Sequence, residues 1–238
     1  MRALNFSGFV FSAIFLLLPM APAAAQDAPL PRGERIEIAH ESIEKLNGGV
    51  LIVRLPFYQT KIEGMKGILS SSGPDSPNRK RIEKQLEETL ADRKEFNRNM
   101  IRAFREVYDF SEVFFMPDTA TASLKAGQAR GFFLNDSLEI DAGIQLEGPA
   151  PYFVLRFGST SDMTTDGVEA MVIMNDRFED LDKPFPYYQR LHDFTAFMGS
   201  IFPAPGQKEK DALRIVGKLN DKLHDYLSRV RLMEGDGS

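Results

Sequence analysis

"NGGVLIVRLPFYQTKIEGMKG", residues 47–67, decides how this chain is read. Two glycines lead into an unbroken apolar run, Val50 to Val53, followed by Arg54, Leu55 and Pro56. A segment apolar on both faces has no side to give to water, so Val50–Leu55 reads as a strand at the centre of a sheet covered on both sides. The glycines raise a second question. A phosphate-holding loop needs its glycines between the strand and the next helix, where backbone N–H groups can point at the anion. Here Gly48 and Gly49 precede the strand, and its exit carries neither G-x-G-x-x-G nor G-x-x-x-x-G-K-[ST]. They are therefore read as a helix stop in left-handed C-cap geometry. Gly64 and Gly67, near Lys61 and Lys66, form no compact nest before a helix.

Upstream, "RIEIAHESIEKL" sets Ile36, Ala39, Ile43 and Leu46 at helical spacing, which predicts a short helix over about 37–46. Residues 26–36 read as a flexible lead-in. Before them stand Arg2, an apolar core from Phe9 to Leu18, and Ala23-Ala24-Ala25 as an A-x-A cleavage site. Residues 1–25 are thus expected to be a cleaved signal peptide. Their apolar run falls short of the roughly 20 residues that span a bilayer. The expected location is the periplasm or the outside of the cell.

Downstream, "SSSGPDSPNRKR" (70–81) reads as a loop, and a long helix follows over about 78–108. Its apolar stripe runs through Ile82, Leu86 and Leu90, skips Asp92 to Glu95, and resumes at Phe96, Met100, Ile101 and Phe104, so the first turns are expected to project from the body. Val113–Met116 is a second apolar strand, and strand–helix–strand implies a parallel pair with a right-handed crossover. "TATASLKAGQA" reads as a short helix with Thr119 as N-cap. "GFFLNDSLEID" reads as a tight hairpin or turn at Asn135-Asp136. Segments 151–158 and 167–175 are two further strands, separated by only eight residues, which favours an antiparallel pair. "DRFEDLDKPFPYYQRL" reads as irregular. An amphipathic helix over about 207–231 ends the fold and leaves 232–238 as a disordered tail. The expected architecture is a single α/β domain, 37–231, with a mixed, mainly parallel sheet of four to six strands flanked by helices.

Removing 25 of 238 residues leaves 213, enough for one sizeable core. There are no cysteines, which excludes thiol catalysis, disulfides and Cys-ligated metals. Loss of Arg2 leaves 28 basic residues against 34 acidic, a net charge of −6 without a basic block, so nucleic acid is not an expected partner.

The blocks "GGVLIVRL", "EFNRNMIRAFREVYDFSEVFFM", "GFFLNDSLE", "YFVLRFG", "KPFPYYQR" and "KLNDKLHDY", in that order, resemble a group of exported proteins of unknown function from Bacteroidetes-type genomes. The resemblance implies an exported α/β protein and carries over no catalytic residues.

Candidate chemistry gathers at the carboxyl ends of the strands, where open α/β sheets bind ligands. Arg54 and Lys61 follow the first strand, Asp118 and Thr119 the second. Asn135 follows the third segment, and Arg156 and Ser159 close the next. Converging, they would hold an anionic ligand with Asp118 and the hydroxyls orienting it. Apart, they would be caps, turns and ion pairs, the reading favoured here. Phe185, Tyr187 and Tyr188, set around Pro184 and Pro186, are either a stacking platform for a sugar or peptide or, the favoured reading, an aromatic plug seating the last helix. His40, His192 and His224 lie in separate segments, and no metal or other cofactor is expected. The expected function is non-catalytic binding or interaction in the cell envelope, with an envelope protein or a small anionic ligand as partner. The alternative is a small hydrolase or transferase acting on an anionic substrate at the strand ends.

Overall fold

The structure, a computed structural model, describes residues 30–73, 76–148, 150–160, 167–191 and 206–235. The signal-peptide reading, His192 and most of the polar stretch 158–167 lie outside these residues. From Arg32 onward the chain forms one compact unit.

Strand β1, Val50–Leu55, runs between two parallel neighbours, β2 (Glu112–Pro117) and β3 (Tyr152–Ser159), with Val50 level with Glu112 on one side and Tyr152 on the other. Strand β4 (Glu169–Met174) pairs antiparallel with β3, and β5 (Tyr188–Arg190) antiparallel with β4. The order is β2-β1-β3-β4-β5. This is the expected α/β architecture, parallel in its first half and antiparallel in its second. From β1 the chain crosses one way to β2 and then the other way to β3. The strand order therefore reverses between β1 and β3, the kind of switch point where such sheets open a crevice.

Alternation along β1 divides the core. Leu51, Val53 and Leu55 face helices α1 (Arg32–Asn47), α3 (Arg79–Val107) and the C-terminal helix, while Val50 and Ile52 face the opposite layer. That second layer is a 3₁₀ turn at Asp118–Ala120, the short helix α4 (Thr121–Lys125) and an irregular segment carrying Phe132 and Phe133.

Several expectations change. Helix α1 begins at Arg32 rather than 37, so the last residues of the expected lead-in are helical; Arg35 ties the first turns to Asp182 at 3.3 Å. Gly48 and Gly49 do stop α1, donating to Glu44 O and Leu46 O, but neither has positive φ. Gly49 is required for space: a Cβ there would lie 2.3 Å from Pro151 O and 2.7 Å from Lys45 O. The residue must be bare because Val50 N–H bonds the same Pro151 carbonyl at 3.0 Å.

The strand exit is not an open solvated loop. Helix α2, Gln59–Ser71, begins three residues after β1, with Gly64 and Gly67 inside it. Its Ile62 and Met65 close on Ile82, Leu86 and Leu90 of α3 in a small cluster separate from the main core. The skip in the α3 stripe marks the boundary between that cluster and the body, where Phe96 enters the main core. Thr119 caps nothing: it lies within the 3₁₀ turn, and the Thr121 hydroxyl donates to Asp118 O at 2.6 Å. The residues around Tyr188 are an edge strand, not irregular chain. The last helix, α5, runs Gln207–Gly235, so the expected tail is helical for its first four residues.

Candidate functional site

The loop Pro56–Tyr58 connects β1 to α2 and is fixed from two sides. Asn97 of α3 donates its amide to Pro56 O at 3.0 Å, and Arg93 donates to Phe57 O at 3.2 Å while lying over the Phe57 ring at 5.2 Å. From the other side Asp118 Oδ1 accepts the Phe57 N–H at 3.1 Å. Tyr58 then turns into α2 with φ 50°, and no side chain caps the helix start. Sequence reading missed Arg93 and Asn97. The available signal was Asn97 standing between Phe96 and Met100 on the buried stripe of α3, where a polar residue must have a partner. Its Oδ1 is buried without a hydrogen-bond partner among the described residues, so the site leaves one acceptor unmet there.

Arg54 is the next residue on the face of β1 that carries Val50 and Ile52. Arg156 holds the same place on β3, one step beyond the level pair Val53 and Leu155. The two guanidiniums differ in how they are held. Arg156 grips Asp180 with two hydrogen bonds, 2.6 and 3.2 Å, and donates to Ser159 O at 2.9 Å. Arg54 is half-buried and has no hydrogen-bond or ion-pair partner among the described residues. Burial pulls its guanidinium below the ordinary arginine range; the Asp118 carboxylate opposes that fall and the Arg156 charge adds to it. The Tyr58 hydroxyl is pushed up, first by burial, then by Asp118, Asp92 and Glu169. The strand ends thus bring together a cation without a hydrogen bond or ion pair among the described residues, a carboxylate with one oxygen committed to the backbone, and the fields of two further acids, Asp92 and Glu169.

Not every expected residue joins them. Lys61 and Thr119 are exposed, on the first turn of α2 and in the 3₁₀ turn. Ser159 ends β3 and supplies its carbonyl to Arg156. Asn135 is a turn residue, its Oδ1 accepting Ser137 N–H and Glu139 N–H at 2.9 and 3.0 Å. Its segment runs from Leu134, bonded to Phe115 O, toward the amino end of β2, where Asp136 pairs with Arg105 at 3.1 Å and Arg105 in turn reaches Val113 O. It therefore leads away from Arg54.

Phe185 is buried edge-on to Tyr226, centroids 6.2 Å apart, so it offers no stacking face and acts as the plug between sheet and α5. Tyr187 and Tyr188 are half-buried against each other at 4.9 Å, with Lys222 Nζ over the Tyr188 ring at 5.9 Å. His40 lies edge-on to Tyr226, and His224 of α5 bonds Asp109 at 2.8 Å, before the amino end of β2; neither stands at the strand ends. Among the described residues no group of three or more His, Asp or Glu is placed to hold a metal ion, and no helix is long and apolar enough to cross a membrane. Chemically, the strand ends can bind and orient a charged group; they bring no nucleophile–base pair together among the described residues. Comparison with family models, with curated proteins and with solved structures finds no match for this chain.

Proposed function

We propose that this is an exported, non-catalytic binding module whose ligand is a small anion carrying a hydrogen-bond donor. The anionic group sits on Arg54, and the donor is accepted by the free oxygen of Asp118. One observation carries this reading: Arg54 is a half-buried guanidinium with no hydrogen bond or ion pair among the described residues, set between the Asp118 carboxylate and the like charge of Arg156, at the point where the strand order reverses. A half-buried charge that makes no hydrogen bond or ion pair is only partly compensated by the field of Asp118, and an arriving anion relieves the remaining cost. The alternative hydrolase or transferase would need Arg156 for its substrate, whereas Arg156 is already held by Asp180. The order of the sequence blocks supports, as part of the same proposal, membership of the exported group and a place in the periplasm or outside the cell.

Calorimetric titration with phosphate, simple carboxylates, hydroxy acids and sugar phosphates tests the reading. Binding of at least one anion is expected, lost in Arg54→Met and made less selective for donor-bearing ligands in Asp118→Asn. Binding that survives Arg54→Met unchanged removes the proposal.

A further inference from the structure

A second set of unmatched polar groups lies at the other end of the sheet. At the amino end of β3 a cleft of about 510 Å³ opens between α1, the chain leaving α4 and the turn after β4. Clefts of this size accommodate a small ligand. Ser42 lines it from α1: the residue is only 9% exposed, yet its hydroxyl has no hydrogen-bond partner among the described residues. A serine within a helix can satisfy itself on the carbonyl four residues back. This one does not, and its hydroxyl belongs to the cleft wall.

The Gln128 amide and the Asp176 carboxylate, both exposed to solvent, also line the cleft, and among the described residues their side chains have no hydrogen-bond partner. Tyr152 adds a half-buried ring, its hydroxyl 3.4 Å from Asp176 O. The one cation, Lys45, is matched by Glu41 at 2.7 Å. The cleft therefore combines a hydroxyl, an amide, a carboxylate and an aromatic surface without an uncompensated positive charge. An anion would meet Asp176 with nothing to balance it. A neutral ring bearing several hydroxyls would give each of these groups a partner, donating to Asp176 and both donating to and accepting from Ser42 and Gln128, with its C–H face on Tyr152.

We propose that this cleft binds a neutral saccharide, independently of the Arg54 site. The test is a heteronuclear NMR titration of the chain lacking residues 1–25 with glucose, N-acetylglucosamine and maltose. At least one sugar is expected to produce saturable shifts at Ser42, Gln128 and Tyr152. Ser42→Leu, which fills the cleft, should weaken that binding about tenfold or more, a change of one decade in Kd. Gln128→Ala, on an exposed side chain that cannot unfold the protein, should weaken it severalfold, and Arg54→Met should leave it unchanged. Absence of saturable shifts with all three sugars overturns the proposal, as does binding indifferent to both cleft substitutions.

Discussion

On one face of the sheet, Leu51, Val53, Leu55, Phe115 and Leu155 are buried under three helices, α1, α3 and α5. On the other, Ile52, Met116, Val154 and Met174 meet one five-residue helix and a segment folded around Phe132 and Phe133. The helices close their own backbone hydrogen bonds and present only side chains to the sheet. The opposite layer has to build its backbone bonds turn by turn, through Asn135, Asp141 and Asn175. A cover of that kind is less continuous, and it is on this face that Arg54 and Arg156 emerge. Stability is concentrated on the helical face, whereas the face covered by turns carries Arg54, a half-buried charge without a hydrogen bond or ion pair among the described residues, from which a ligand site can be made.

The sharpest way to break this contrast is to delete one phenylalanine from each face. Phe104 lies edge-on to Phe115 and Tyr108 on the helical face; Phe133 packs with Phe114 and Phe132 on the other. Phe104→Ala is expected to cost about 5 kcal/mol and Phe133→Ala about 3 kcal/mol, because a cavity under rigid helices collapses less. Urea denaturation measures both, and equal or reversed costs would end the contrast.

Gly49 tests the tightest backbone approach. Gly49→Ala should lose about 2–3 kcal/mol, since its methyl meets a carbonyl that cannot move without disturbing β1 and β3. Gly64→Ala, in open space on α2, should instead gain about 0.5–1 kcal/mol. The same denaturation curves compare them.

The two arginines sharpen the contrast within one face. Arg156→Met leaves Asp180 unpaired and should cost about 1–3 kcal/mol. Arg54→Met removes a charge with no hydrogen bond or ion pair among the described residues and should alter stability by less than about 1 kcal/mol, in the stabilising direction. Thermal unfolding at neutral pH distinguishes the two; a large loss for Arg54→Met would mean that the charge is structural.

The smallest effect lies at the edge of the helical face. Asn220, then His224, holds the Asp109 carboxyl below its ordinary value of 3.8. The folded state binds that proton less tightly than the unfolded chain. The contact therefore stabilises above about pH 4 and is lost as pH falls through the lower folded value. Asp109 is open to solvent, so the gap between wild type and Asp109→Asn should be a fraction of a kcal/mol. It should close on acidification, and a gap constant from pH 6 to pH 2 would exclude this origin.

What could be read from residue order was whatever local pattern decides. The apolar run Val50–Leu55, the stripe of α3 with its skip, and the stripe of α5 each name their element, because burial on a rod or a sheet imposes its own period. Helix α2 was hidden by Gly64 and Gly67, poor helix formers, although Ile62, Met65 and Leu69 keep helical spacing; its packing on Ile82 and Leu86 outweighs propensity. Edge strand β5 was hidden by the prolines and aromatics just before it, and only pairing with β4 makes it a strand. Of the site, the residue types at the strand ends were legible and their partners were not. Local pattern favoured a turn at Asn135 and a plug at Phe185, but nothing in the sequence says that the acid Arg156 finds is Asp180 or that the Asn135 turn leads away from Arg54.

The sequence by itself determined the α/β class, the parallel start of the sheet and the two long helices, because these follow from periodicity within each segment and from the order of the segments. Only the tertiary structure decided which arginine stays free, why Gly49 must be glycine and where Ser42 meets a cleft. Those outcomes depend on distances between residues tens to more than a hundred positions apart, and a local pattern does not encode such distances.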